Sequence, residues 1–173
     1  YKDNISKLNI PGLSDVYGTS VYPCPFCDGF EVADKKLAVF GNSETIPFIS
    51  KLVSHWSNNV IAFTNGEYIK NRALVDELNE KNIRVVEQKI LQVHSTTGQL
   101  IAIELEGGEI INRDAGFIRN TKASEHTSFT RKFKLLAEPG HFGTNVYTVD
   151  HNKETQIKGL YIIGDAQSSW SGI

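Results

Sequence analysis

Residues 24–56 read CPFCDGFEVADKKLAVFGNSETIPFISKLVSHW, and the change of pattern inside this stretch decides the fold. LAVFG, residues 37–41, is a short apolar run closed by a glycine, which is the pattern of a buried strand. After it, Ile46, Ile49, Leu52, Val53 and Trp56 recur three and four apart, so they share one face of a helix. Thr45 suits the N-cap of that helix. Pro47 suits its first turn, where a missing N–H loses no partner.

Working outward, the pattern repeats. NVIAFTNG, residues 59–66, reads as a second strand closed by Asn65-Gly66. Residues 69–81 return to helical spacing with Ile69, Ala73, Val75 and Leu78, and IRVVEQ, residues 83–88, is a further strand. Strand, helix, strand, helix, strand implies a parallel sheet with covering helices. The rhythm then shortens. KILQVHS (89–95), QLIAIELEGGEIINR (99–113) and AGFIR (115–119) read as antiparallel strands joined at Thr97-Gly98 and Gly107-Gly108. Residues 119–158 are polar and weakly patterned, and GLYIIGD (159–165) predicts one more strand ending in Gly164-Asp165. Toward the N-terminus, residues 1–20 read as a connector: NIPGLSDVYGTS (9–20) is rich in turn formers, with a turn expected at Pro11-Gly12.

Composition narrows the function classes. A hydrophobic share of 40% with 22% charged residues is that of an ordinary globular chain. A net charge of -2 gives no basic field for nucleic acid or an anionic membrane. No apolar run is long enough to span a bilayer, and two cysteines are too few for a secreted disulfide scaffold, so a cytoplasmic origin is expected. The sequence contains no methionine and stops soon after GLYIIGD, which reads as a piece of a longer protein.

Both cysteines lie in CPFC, and three uses are open to them. Structural zinc needs four ligands; there is no second C-x-x-C, and His55, His94, His126, His141 and His151 are scattered. A structural bridge over so small a loop restrains little of the unfolded chain. A redox pair needs one thiol within reach of the other and one thiolate favoured near neutral pH. The spacing supplies the first. A helix start bounded by Pro23 and Pro25 would supply the second, with Asp28 beside Cys27 to give or take a proton. On this reading Cys24 and Cys27 form a reversible disulfide.

CPFCDG, followed by LAVFG and a helix and, far along the chain, by IIGDA, resembles low-molecular-weight thioredoxin reductase and its flavoprotein relatives. The resemblance covers nearly the whole chain. It implies an α/β fold: a Rossmann-like NAD(P)-binding domain, a parallel sheet with helices plus an antiparallel β-meander, inserted into an FAD domain. Residues 18–118 would be the NAD(P)-type domain carrying the C-x-x-C. Residues 1–17 would be a remnant of the FAD domain, and residues 119–173 its partial return segment. By the same resemblance Cys24 exchanges with the substrate disulfide, Cys27 faces the flavin, and Asp28 protonates the outgoing thiolate. Gly164 and Asp165 would approach the FAD. The implied partner is a small dithiol or disulfide or a thioredoxin-like protein, and the implied assembly of the parent is a homodimer. The isolated piece would be inactive and would not retain FAD.

The sequence departs from the family at the nucleotide turn. The usual G-x-G-x-x-A or G is here Gly41-Asn42-Ser43-Glu44-Thr45-Ile46, with only the first glycine in place. Glu44 adds negative charge where a phosphate would sit. Phe63-Thr64-Asn65-Gly66 contains no Arg or Lys for the 2′-phosphate of NADPH. Weak NADPH binding is expected, with NADH less affected. Some relatives run in the opposite direction, oxidising a dithiol and passing electrons through FAD to oxygen; the gliotoxin and holomycin oxidases are examples. A non-catalytic interaction domain that kept the fold is the third reading.

Overall fold

LAVFG forms strand β2, Leu37–Gly41, and all five of its residues are buried. The reason is a sheet covered on both faces. Leu37 and Val39 join one apolar cluster, whereas Ala38 and Phe40 join another. The same alternation runs through β3, Val60–Phe63, whose Val60 and Ala62 face the first cluster and Phe63 the second. A strand buried on both sides loses the polar alternation of a half-exposed one, which is why the run reads as continuously apolar.

The computed structural model describes residues 9–119, 130, 132–140 and 145–168. They fall in two compact units, one holding the described residues up to 119 and the other those from 130 onward. The larger unit is built on a five-stranded parallel sheet in the order β1-β8-β2-β3-β4, with β1 at Val21–Tyr22, β4 at Arg84–Val86 and β8 at Ala115–Arg119. Helices α3, Ile46–Val53, and α4, Arg72–Glu80, supply Ile46, Ile49, Val53, Val75 and Leu78 to the cluster on one face. The opposite cluster takes residues from an antiparallel sheet of β5, Ile90–Thr96, β6, Gln99–Leu105, and β7, Ile110–Asn112. This is the expected α/β architecture: a parallel sheet between helices and a β-meander.

Three segments differ from the sequence reading. AGFIR was expected among the antiparallel strands. As β8 it runs parallel between β1 and β2 instead, with Gly116 opposite Ala38. A Cβ at Gly116 would come within 2.7 Å of the Ala38 carbonyl oxygen, so only glycine allows that approach. The stretch from Asn9, read as a connector, contains the short helix α1, Leu13–Val16, and buries Ile10, Leu13 and Val16 against the meander side. Its turn formers are real, with Gly12 at φ 77°, but its apolar residues are core. The third is GLYIIGD. Among the described residues it forms only a single bridge, Glu154 to Tyr161, followed by a 3-10 turn at Gly164–Ala166. Tyr161 and Ile163 are exposed there. The smaller unit also has a two-stranded antiparallel pair, β9, Ala137–Pro139, and β10, Asn145–Tyr147. Within the described residues no helix is long and apolar enough to cross a membrane.

Candidate functional site

The chain leaves β1 through Pro23 and enters helix α2, Pro25–Asp28, a single turn. Cys24 is the N-cap residue with extended backbone, and Pro25 opens the helix. The N–H groups of Cys27 and Asp28 both donate to the Cys24 carbonyl, at 3.2 Å each. That fold-back sets the two side chains together. The thiol of Cys27 donates to Cys24 Sγ across 2.8 Å, and both cysteines are free. Cys27 is exposed and Cys24 half-buried. Phe26 and Phe30 stand exposed on either side of Cys27 in sequence. Gly29 closes the turn where there is no room for a side chain: a Cβ would lie 2.3 Å from both the Pro25 carbonyl oxygen and the Trp56 indole nitrogen. Trp56, read as part of the helix face, lies beyond the end of α3; it packs against the same cluster as Ile46, Ile49 and Val53 and also braces the dithiol turn.

The electrostatics do not acidify Cys27. The Cys27 thiol is pushed up to about 11, first by its hydrogen bond to Cys24, then by burial and by negative charge at Cys24 and Asp28. Asp28 is raised by burial and by the neighbouring charge of Glu31. Tyr22 is raised by burial and by Asp28 and Glu31. One turn of helix offers little dipole to set against the hydrogen bond to Cys24. Cys27 therefore keeps its proton at neutral pH.

The second candidate feature is the turn from β2 into α3. Gly41 is needed there because a Cβ would come within 2.7 Å of Thr45 Oγ1. Thr45 stands at the N-cap position but makes no capping bond. Its hydroxyl turns back to Asn42 Oδ1, at 2.8 Å, and Asn42 Oδ1 in turn accepts the Thr45 N–H at 2.9 Å. The N–H of Asn42 donates to Thr45 Oγ1. The N–H of Ser43 donates to the carboxylate of Glu67 at 2.9 Å, and the Ser43 hydroxyl donates to the same oxygen at 3.0 Å. Glu44 is exposed. The described residues hold no cluster of three or more His, Cys, Asp or Glu able to bind a metal.

No protein-family model matches the chain. A thioredoxin reductase of Aspergillus oryzae is 26% identical over 172 residues, covering 95% of this chain and 53% of its own length. A crystal structure from Bacillus anthracis, assigned as the thioredoxin reductase TrxB, superposes with a TM-score of 0.79 at 31% identity, covering 91% of this chain and 51% of that one. An oxidoreductase of Agrobacterium tumefaciens shares the fold with a TM-score of 0.78 at 23% identity, over 93% of this chain and 52% of its own. The chain is thioredoxin reductase-like. It spans about half the length of the relatives it matches.

The sequence-predicted residues of this thioredoxin reductase-like chain form separate groups. Cys24, Cys27 and Asp28 lie on one turn. Gly41, Asn42, Ser43, Glu44 and Thr45 form the β2–α3 turn. Gly164 and Asp165 belong to the smaller unit, where Gly164 has φ 71° and nothing within 4 Å of where a Cβ would be. Sequence reasoning missed Glu67. Its signal was present in Asn65-Gly66, a turn pair that sends the next residue back toward the strand ends.

Proposed function

We propose that this chain carries the thiol centre of an FAD-dependent thiol/disulfide oxidoreductase, with Cys24 and Cys27 cycling between dithiol and intramolecular disulfide. The 2.8 Å approach of the two sulfurs within one helical turn is the observation that carries this reading. Residues 18–118 are then the nucleotide-type domain, and residues 119–173 a return segment of an FAD domain. In the reducing direction Cys24 attacks a substrate disulfide and forms a mixed disulfide, and one substrate sulfur leaves with a proton. Cys27 then attacks Cys24 and releases the second substrate sulfur. The pair loses two protons and two electrons, and the substrate gains both. Asp28, its carboxyl raised by burial, is suited to hold and return the proton that the leaving sulfur takes.

The residues near the end of the described chain are compatible with FAD. Gly164 presents open backbone, and the exposed Tyr161 and Ile163 precede it. Gly164 and Asp165 would hold the cofactor, which when bound supplies the two-electron exchange that resets the thiol pair. The nicotinamide turn fits its usual ligand poorly. The Ser43 N–H that would meet a phosphate is bonded to Glu67. This favours a second reading, a dithiol oxidase that passes electrons through the flavin to oxygen. The substrate is a small dithiol or disulfide or a thioredoxin-like protein, and the whole protein is a cytoplasmic homodimer.

The test is thiol accounting. The chain is equilibrated across a series of oxidised and reduced dithiothreitol ratios, trapped with a maleimide and weighed. A reversible two-electron transition confined to Cys24 and Cys27 is expected. Free reaction of both thiols after mild oxidation, with no trapped disulfide, would overturn the redox reading.

A further inference from the structure

Strand β3 ends in a tight turn, Thr64-Asn65-Gly66-Glu67, with Asn65 at φ 53° and Gly66 at φ 90°. Both central residues are left-handed, as a type I′ turn requires, and the Glu67 N–H closes it on the Thr64 carbonyl at 3.3 Å. The turn is fixed from three sides. Thr64 is buried, and its hydroxyl donates to the Glu67 carbonyl. The Thr64 N–H donates to the Val86 carbonyl, and Asn65 Oδ1 accepts the Ile90 N–H at 3.0 Å. A rigid turn thus delivers the Glu67 carboxylate to the Ser43 N–H and hydroxyl, 24 residues back, at the start of α3.

That position has a chemical meaning. In a strand-turn-helix unit of this kind the turn N–H groups and the helix start face the pyrophosphate of a dinucleotide. Here the chain supplies its own anion. Three further N–H groups of the turn are engaged within it: Asn42 N–H by Thr45 Oγ1, Thr45 N–H by Asn42 Oδ1, and Ile46 N–H by the Asn42 carbonyl. Arg72, the first arginine after β3, is bound by both carboxylate oxygens of Glu87, at 2.8 and 2.9 Å. An incoming phosphate would meet Glu67, with Glu44 also on the turn.

We infer that Glu67 is a specificity-determining residue: its carboxylate is an internal occupant of the phosphate position at the β2–α3 turn and excludes nicotinamide dinucleotides from this domain. The inference rests on reading residues 37–53 as a dinucleotide-type unit, but it does not depend on the thiol chemistry. A Glu at the end of this strand also has a rival role, as acceptor for the ribose hydroxyls of NAD. The two roles predict opposite results.

The experiment is calorimetric titration of the chain, Glu67→Gln and Glu67→Ala with NADH and, separately, with inorganic pyrophosphate. Glu67 is exposed, so both variants should keep the parent's thermal midpoint and its Cys24/Cys27 thiol count. Occupancy by Glu67 predicts that both variants bind at least about tenfold tighter than the parent, because a like charge is removed from the anion's place. NADH binding to the parent that weakens in the variants would make Glu67 a ribose ligand and overturn the inference. Absence of binding in all three proteins would also overturn it, since the turn would then be closed by Ser43 and Ile46. The thiol count reports separately on the redox reading.

Discussion

Replacing Cys24 by alanine tests why Cys27 holds its proton. The largest cause of its raised value is the hydrogen bond it donates to Cys24, ahead of burial and the charge of Asp28. Alanine removes that acceptor together with the charge of Cys24, and leaves burial and Asp28 in place. From about 11 the thiol should fall toward its ordinary value of 9.0 without reaching it. At pH 8 a full return would raise the thiolate fraction from about 0.1% to about 9%, a gain near ninetyfold. A thiolate of lower pKa is also a poorer nucleophile, and with a Brønsted slope of about 0.4–0.5 two units cost roughly sixfold to tenfold. The net change in alkylation rate is therefore about tenfold for a full return and about threefold for half of it. The assay is iodoacetamide alkylation from pH 7 to 11, with Cys27 followed by peptide mass. Cys24→Ser, which keeps a weaker acceptor, should fall between the two proteins. An alkylation profile in Cys24→Ala that still rises only near pH 11, at an unchanged or slower rate, would show that the 2.8 Å contact does not hold the proton.

The structure sets other expectations. Gly29→Ala forces a Cβ against Pro25 and Trp56 and should cost about 1–3 kcal/mol, seen as a lower denaturation midpoint together with a shift in tryptophan emission. Phe117→Ala removes a fully buried ring beside Tyr22 and should cost about 3–5 kcal/mol in the same measurement. Asp28 has a raised carboxyl, so its contribution to stability is present below its ordinary value of 3.8 and lost as pH rises through the raised one. Asp28→Asn cannot ionise and escapes that loss. Urea midpoints of variant and parent should agree in acid and diverge toward neutral pH, with the variant higher; a constant gap at every pH would contradict the assignment.

The fold was legible where one local rule was enough. LAVFG and VIAF are apolar on both faces because helices cover one side of their sheet and a meander the other, and β-strand alternation sorts their side chains between two cores. AGFIR looked the same as its antiparallel neighbours because a five-residue run carries no sign of strand direction. Its partners are decided by Gly116 against Ala38, a contact 78 residues apart. Likewise Asn-Ile-Pro-Gly signalled a connector correctly at Gly12, but turn chemistry says nothing about where Leu13 and Val16 then bury themselves.

The site divides in the same way. C-x-x-C is a statement about neighbours on one turn, so its geometry followed from spacing, while the sign of the effect on Cys27 did not. That sign depends first on the contact with Cys24, then on burial and on the charge of Cys24 and Asp28. At the nucleotide turn the missing glycines were visible in the sequence, and they imply only a site that has lost its fit. Glu67 changes the physical question. A turn with vacant donors would retain some affinity for any anion, because unpaired N–H groups at a helix start favour one. A turn whose Ser43 N–H and hydroxyl are both held by an internal carboxylate has that attraction already satisfied and adds repulsion to it. Loss of glycine and gain of Glu67 are thus distinct mechanisms of exclusion, and only the second is reversed by a single substitution on a neighbouring strand end.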